Sequence, residues 1–276
     1  MYLEGDGMIE NFNFKERYDV NDLIDIVEIL RSPGGCPWDI EQDHKSIRRD
    51  FLEETYEVIE AINKEDRDGL LEELGDVLLQ VVFHAQIERE KNSFDLNDVA
   101  DGVCKKMIER HPHVFGNVNA ETSEQVLENW DVIKKQTKQQ KSQTESMLSI
   151  PREFPALMRA DKVQKKAAKV GFDWDSVEGA FDKVSEELEE LKEAVTMGVV
   201  ENANEELGDL LFSVVNVSRF ISVDSEEALT KATDKFIDRF SKVEKMAEEK
   251  GINMKETELS ELDKLWDEAK KVSKKD

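Results

Sequence analysis

Residues 53–82 read EETYEVIEAINKEDRDGLLEELGDVLLQVV, and this stretch decides the predicted fold of the chain. Its apolar residues recur every three or four positions on both sides of the polar segment 63–69. This period is typical of amphipathic helices, and the short polar segment, which ends in Gly69, is typical of a tight turn. The stretch therefore predicts two helices that lie side by side as an antiparallel hairpin.

The same stretch occurs twice. Residues 186–215 read EELEELKEAVTMGVVENANEELGDLLFSVV, and each position lies 133 residues after its counterpart without a gap. Acidic helix faces that only contact solvent are free to vary, so carboxylates kept in register indicate a shared chemical role. Because strand patterns are weak throughout, the repeat predicts an all-α fold of two tandem helical-bundle domains. The predicted boundaries are a frayed N-terminal segment (1–19), a first domain (20–133), a polar linker (134–150) and a second domain (151–276).

In each copy, a Glu-x-x-Glu pair on one helix is predicted to face a Glu-x-x-Asp pair on the next, because residues three apart share a helix face. Four facing carboxylates repel one another, and a bound cation would remove this conflict. All-oxygen ligands favour a hard ion, so Mg²⁺ is expected, with Mn²⁺ as a second possibility. The two sets of predicted ligands are the first quartet, Glu54, Glu57, Glu73 and Asp76, and the second quartet, Glu187, Glu190, Glu206 and Asp209.

A later helix in each domain carries Lys and Arg four positions apart, which places both cations on one helix face. These pairs are Lys106 with Arg110 and Lys235 with Arg239. Lys can act as a point charge on a phosphate, and Arg can bind two phosphate oxygens at once. The alternative interpretation is a pair of surface cations that offset acidic neighbours. A Trp can stack on a base without reading its identity, so these parts together predict a site for a metal-bound polyphosphate with a planar group attached.

Composition excludes several classes of protein. The chain has 276 residues, a net charge of −25 and a pI of about 4.6, so binding to nucleic acid is not expected. Its two cysteines are too few for a disulfide framework and favour a reducing cytoplasmic setting. No apolar run reaches 18 residues, so no membrane span is expected. The phosphate-binding sequences G-x-x-x-x-G-K-[ST] and G-x-G-x-x-G are absent.

Several segments outside the acidic repeat resemble a known family. Residues 35–39, which read GCPWD, resemble the start of the first MazG domain, and residues 111–116, HPHVFG, resemble its end. Residues 154–174 resemble the entry to the second MazG domain, and the paired acidic motif is the metal signature of that family. The resemblance covers about residues 20–272, and its tandem form is much more specific than the acidic motif alone.

The resemblance implies a nucleoside triphosphate pyrophosphohydrolase of the all-α NTP pyrophosphatase superfamily. Such enzymes use Mg²⁺ to convert an NTP and water to an NMP and pyrophosphate, which suits house-cleaning of the nucleotide pool. It further implies a homodimer or a higher assembly, with the main activity in the second domain. In that domain, Lys235 and Arg239 would hold the phosphates, Lys183 would lie near the metal helix, and Trp266 would lie near the base.

The mechanism expected from these residues is attack of a metal-activated water on the α-phosphorus. Lys235 and Arg239 would stabilise the leaving pyrophosphate. A carboxylate that is not fully used as a ligand would orient or deprotonate the water, and Glu186 and Glu205 are both candidates. A different class of protein stays open: a regulatory or scaffold protein that binds NTP and Mg²⁺ without turnover. Release of pyrophosphate distinguishes the two.

Overall fold

The computed structural model describes residues 12–120, 122–126, 129–130, 133 and 142–272. The chain divides into two compact units, Met1–Thr137 and Lys138–Asp276, and each is described by itself. Every regular element in the described ranges is a helix, which confirms the predicted all-α class. Within those ranges, no helix combines the length and apolarity needed to cross a bilayer.

The first unit is built from six described helices. They are α1 (Val20–Arg31), α2 (Pro37–Glu41), α3 (Arg48–Asn63), α4 (Arg67–Glu90), α5 (Leu96–Arg110) and α6 (Pro112–Phe115). Aspartates begin three of them, because a carboxylate at the N-cap accepts hydrogen bonds from backbone N–H groups that the helix leaves free. Asp19, Asp66 and Asp95 cap α1, α4 and α5 in this way.

The predicted first hairpin is present as α3 and α4, which pack along each other. Only three residues connect them, and Asp66 closes the turn by accepting from the N–H groups of Asp68 and Gly69. Helix α1 packs on the far half of α4, where the core of the unit lies. The core side chains are Val27, Ile47, Val82, Phe83 and Ile87. The near half of α4, which carries Glu73 and Asp76, is thus left outside the core.

A loop and α2 connect α1 to α3, and two polar contacts tie this connection to α4. Arg31 donates to the carbonyl oxygen of Gln42 at 3.1 Å and forms an ion pair with Glu90 at 2.7 Å. His44 lies between two α4 residues: its Nδ1 is 2.7 Å from Nδ1 of His84, and its Nε2 is 2.7 Å from Glu88. These contacts hold the GCPWD segment against the hairpin.

The second unit also has six described helices. They are α7 (Gln143–Leu148), α8 (Ala156–Ala168), α9 (Val177–Met197), α10 (Val200–Phe220), α11 (Ser225–Glu249) and α12 (Leu259–Val272). The second predicted hairpin is α9 with α10, whose close packing follows from a two-residue turn. Gly198 adopts a left-handed conformation there, with φ of +72°, which glycine accepts without steric cost.

Two further contacts complete the second unit. Helix α8 packs on α10 and α11, and α11 pairs with α12. The α11–α12 pair encloses a small apolar core of Val243, Ala247, Leu265 and Ala269. This core is formed by side chains outside the α9–α10 hairpin.

The structure differs from the predicted linker 134–150 in its last part. Residues 134–141 lie outside the described residues, but residues 143–148 form α7, which packs on α8. Ser146 and Ile150 are buried, and Ser146 accepts a hydrogen bond from Lys166. These two buried positions were not predicted from the sequence, because a polar helix of six residues is too short to show a helical repeat of apolar residues. Of the predicted frayed segment, residues 1–11 lie outside the described residues, whereas Phe12 contacts the rings of Phe14 and Tyr18.

Candidate metal and phosphate site

The second hairpin brings the second quartet together. Helix α9 carries Glu187 and Glu190, and α10 carries Glu206 and Asp209. Carboxylate oxygens of Glu187, Glu206 and Asp209 lie within 4.8 Å of one another. Glu190 belongs to a second, overlapping group, because carboxylate oxygens of Glu186, Glu187 and Glu190 also lie within 4.8 Å of one another. The predicted convergence of two Glu-x-x-acid pairs across a helix hairpin is therefore present.

Burial and like charge act together on this quartet. Glu187 is only 4 % exposed, although it is a carboxylate. Desolvation first, and then the charge of Glu187, raise the pKa of both Glu190 and Glu206 above the usual range. Buried carboxylates are normally paired with a cation, because removing a charge from water is costly. The second quartet is thus a cluster of oxygen ligands that a divalent cation would stabilise.

One cation already lies in the second quartet. Lys183 is one turn before Glu187 on α9, and its Nζ is 2.5 Å from Glu187 and 2.8 Å from Glu186. The hydrogen bonds that Lys183 donates to Glu186 and Glu187 raise the pKa of Lys183, so its ammonium group stays charged at neutral pH. Sequence analysis places Lys183 near the metal helix by resemblance, and the structure shows it in direct contact with the predicted ligand Glu187.

The first hairpin repeats the arrangement of carboxylates. Oxygens of Glu54, Glu73 and Asp76 lie within 4.8 Å of one another. Glu57 neighbours this group, since after desolvation its carboxyl group contributes to the raised pKa of Glu54 and of Glu73. Desolvation and the neighbouring acids raise the pKa of Glu54 and of Glu73. The first hairpin therefore also brings carboxylates from two helices together, and their charges repel one another.

The remaining predicted site residues lie on other helices of the second unit. Lys235 is exposed and Arg239 half-buried, both on α11. Trp266 on α12 packs against the ring of Phe236, 5.1 Å away, at the edge of the apolar core. Within the described residues, no hydrogen bond or ion pair joins these three side chains to the second quartet. These three side chains thus make no direct polar contact with the carboxylates among the described residues.

Arg239 nevertheless has unused hydrogen-bonding capacity, since its Nε is buried without a partner. In the first unit, Lys106 is exposed and Arg110 half-buried on α5, as at the equivalent positions of α11. Of the two candidate bases, Glu186 lies within the carboxylate cluster, whereas Glu205 is exposed and belongs to none of the clusters among the described residues. The geometry therefore favours Glu186 over Glu205 as the group nearest to a bound cation.

Sequence analysis missed an apolar cavity beside the second hairpin. It has a volume of about 420 Å³ and lies between α7, α8 and α10, where Gly208 contributes to its wall. Small side chains such as Ala156 and Ala160 open this space, and Leu157, Phe212 and Val215 line it. Small residues on one face of α8 are the only signal in the sequence, and that signal does not distinguish close packing from a cavity.

The fold and the site together define a class: a tandem all-α protein in which each unit presents four carboxylates from a helix hairpin. Comparison with known families agrees with this class. The MazG nucleotide pyrophosphohydrolase domain matches residues 42–115 and 176–244, which contain the two hairpins. The chain therefore belongs to the MazG family of nucleotide pyrophosphohydrolases, and the predicted enzyme class and tandem arrangement are confirmed.

Individual relatives extend over most of the chain. It is 48% identical over 249 residues to the nucleoside triphosphate pyrophosphohydrolase/pyrophosphatase MazG of Thermotoga maritima, covering 90% of this chain and 94% of that protein. It is 44% identical over 255 residues to the nucleoside triphosphate pyrophosphohydrolase of Escherichia coli K12, covering 91% and 97%. YabN of Bacillus subtilis, an uncharacterized protein, is 47% identical over 253 residues, covering 91% of this chain but 51% of YabN.

Proposed function

We propose that this chain hydrolyses nucleoside triphosphates to nucleoside monophosphates and pyrophosphate, chiefly at the second quartet, and so removes unwanted nucleotides from the pool. The observation that carries the proposal is the carboxylate cluster around buried Glu187, with Lys183 in contact with Glu187. A site for a metal-bound triphosphate needs both anionic ligands and a nearby cation, and the second hairpin has both. The Thermotoga and Escherichia relatives, both named nucleoside triphosphate pyrophosphohydrolases, support the same substrate class.

The second quartet fits a hard divalent cation. Its donors are all carboxylate oxygens, which Mg²⁺ and Mn²⁺ prefer over soft ligands. The ion pair between Lys183 and buried Glu187 supports a position at which positive charge is favourable. Glu187, Glu190, Glu206 and Asp209 would hold the cation. When bound, such a cation neutralises phosphate charge and lowers the pKa of a coordinated water.

The side chains of the chain itself would bind and orient the substrate. Lys183 is close enough to the quartet to reach a phosphate that shares the cation. Lys235 and Arg239 would hold the leaving pyrophosphate. The guanidinium group of Arg239 can bind two phosphate oxygens, and its Nε would not have to break an existing hydrogen bond to do so. Glu186 would orient the attacking water and accept its proton, a role in which proximity to the cluster matters more than burial.

We also propose that the functional form is a homodimer formed through like units. Three apolar side chains recur every seventh position on α9 and are largely exposed: Phe181, Leu188 and Val195. A helix hairpin with such an exposed stripe is half of a four-helix bundle, and a second copy would supply the other half. The free cysteines Cys36 and Cys104 agree with a reducing, cytoplasmic setting.

A product assay tests this function. The purified chain is incubated with Mg²⁺ and a panel of common and damaged NTPs and dNTPs, and the products are separated by ion exchange. The proposal expects monophosphate and pyrophosphate in equal amounts. Formation of nucleoside diphosphate and inorganic phosphate would show that water attacks the γ-phosphate instead of the α-phosphate. Saturable binding of NTP with no products would favour the alternative, a regulatory NTP-binding protein.

A further inference from the structure

Lys183 contacts the carboxylates of the second hairpin, and its counterpart in the first hairpin has the opposite charge. Counting 133 residues back from Lys183 leads to Asp50, on the first turn of α3. A cation in the second unit is thus replaced by an anion in the first. The rest of the pattern is retained, since both units keep all four ligand positions and the Lys–Arg pair. The charge beside the quartet therefore differs between the two units, although the predicted ligands are the same residue types.

In the second unit, the ammonium group of Lys183 occupies the side of the cluster formed by Glu186 and Glu187. An incoming divalent cation has to approach a quartet whose charge is partly neutralised, and it is repelled by the ammonium group at short range. Lys183 needs another anion if it is to leave these carboxylates. A triphosphate supplies that anion, so metal and nucleotide should bind the second quartet together rather than in turn.

The first unit has no such counter-ion. Within the parts of the chain that the structure describes, no lysine or arginine forms an ion pair with Glu54, Glu57, Glu73 or Asp76. The nearest basic residue in sequence, Arg49, instead pairs with Glu53 at 2.7 Å, and both of these side chains are largely exposed. Among the described residues, the first quartet therefore lacks a paired basic side chain that would offset the repulsion between its carboxylates.

We propose that the first quartet is a standing divalent-cation site that fills without nucleotide, whereas Lys183 keeps the second quartet empty of metal until a nucleoside triphosphate arrives. The inference rests on the proposed function, because it takes the quartets as metal sites. It assigns the first unit a bound cation but no phosphate-binding lysine beside it. The first unit would then stabilise the protein through its ion, while turnover would stay with the second unit.

Titration of the full chain with Mn²⁺ tests the proposal, with free Mn²⁺ followed by its electron paramagnetic resonance signal in the absence of nucleotide. We expect one tight site per chain, and we expect Glu73→Gln to abolish it. The second site should be weaker by about tenfold or more, since a unit charge a few ångströms from the ion opposes binding. Lys183→Gln should bring the second site to the affinity of the first, giving two tight sites. Lys192→Gln is the matched control, because Lys192 lies on the same helix but pairs with Glu189 outside the quartet.

The reverse change examines the first unit. Asp50→Lys should weaken the tight site by about tenfold or more, and Asp50→Asn should weaken it less, so the conservative variant separates charge from misfolding. Two equal sites in the unchanged chain, or no gain from Lys183→Gln, would overturn the inference. Hydrolysis of NTP is measured separately on the same samples. Two Mn²⁺ sites of equal affinity together with normal NTP hydrolysis would contradict this inference but not the proposed function. One tight Mn²⁺ site without NTP hydrolysis would contradict the proposed function but not this inference.

Discussion

At the scale of single residues, the second quartet is a place where the metal-free protein is destabilised by its own charge. Burial and the neighbouring acids raise the pKa of Glu206, so its ionised form is less stable in the folded chain than in the unfolded one. A raised carboxyl pKa means that the group favours folding below its unfolded pKa and that this benefit is lost as the pH rises through the folded pKa. The charges of the quartet therefore lower the stability of the metal-free protein at neutral pH, and the same charges would bind a cation.

We expect Glu206→Gln to raise the melting temperature of chelator-treated protein at pH 7.5, because the amide removes a repelled charge. The difference from the unchanged chain should shrink as the pH falls toward 4, where the carboxyl group of Glu206 becomes protonated. Differential scanning calorimetry across this pH range measures the effect. Glu193→Gln, an exposed position on α9, is the control and should show no such trend. A melting temperature lowered at pH 7.5 by Glu206→Gln would contradict the argument.

Glu88 shows the opposite sign. Hydrogen bonds from Lys91 first, and from His44 second, lower the pKa of Glu88 from 4.5 to about 2. A carboxyl group whose pKa is lowered by folding stabilises the fold at pH values above its pKa in the unfolded chain. This contribution is lost as the pH falls through the folded pKa of about 2. Glu88→Gln should therefore lower the melting temperature at pH 6, and the loss should fade between pH 4.5 and 2. Glu72→Gln, exposed on the same helix, serves for comparison; a loss that stays constant with pH would rule out this electrostatic origin.

Residue-level prediction from sequence works where contacts are local in the chain. The quartets follow from helical spacing and a short turn, and Lys183 meets Glu187 because residues four apart share a helix face. The contact between His44 and His84 joins positions 40 apart in sequence, so no periodic pattern indicates it. The positions of Lys235, Arg239 and Trp266 relative to the second quartet depend on tertiary packing for the same reason.

At the scale of elements, the connection from α1 to α2 depends on the absence of a side chain at Gly35. A Cβ there would lie 2.4 Å from the carbonyl oxygens of Ile29 and Leu30, and backbone atoms at that distance cannot move aside cheaply. We expect Gly35→Ala to destabilise the first unit by at least about 1–3 kcal/mol, the usual cost of overpacking. Chemical denaturation monitored by circular dichroism measures this change.

Gly102 provides the matched control for Gly35. It lies inside α5, and a Cβ there meets nothing within 4 Å. Alanine is the better helix former, so Gly102→Ala should stabilise the same unit by about 0.5–1 kcal/mol. If both substitutions shift the denaturation midpoint in the same direction, the loop around Gly35 is not as tightly packed as the structure shows.

Both hairpins were predictable as elements, because strong helical periodicity flanks a short turn in each copy. Helix α7 was not, since its six residues are polar and it is stabilised by contacts with α8 rather than by its own propensity. The cavity beside α10 also escaped prediction. Its walls come from three helices whose spacing is set by packing, and the sequence shows only the small residues that permit it.

At the scale of the whole molecule, the exposed stripe on α9 predicts self-association. Sedimentation at micromolar concentration should give twice the chain mass of 31.7 kDa or more. Replacing Phe181 and Val195 together by Glu should yield monomers, because charge on an apolar bundle face prevents its burial. Phe172→Glu is the control, since that side chain is 82 % exposed outside the helices and should not affect the mass. A single-chain mass for the unchanged protein would refute the proposed dimer.

The central claim is that the second quartet performs the hydrolysis, and register-matched variants test it most directly. Glu206 and Glu73 are the same position in the two copies, so Glu206→Gln and Glu73→Gln make the same chemical change in different units. The measurement is the rate of pyrophosphate release from NTP with Mg²⁺. We predict a loss of about 10²-fold or more for Glu206→Gln, the scale of losing several kcal/mol of metal assistance, and retention of most activity for Glu73→Gln. Near-normal hydrolysis by the Glu206 variant, or loss of nearly all activity in a folded Glu73 variant, would contradict the account.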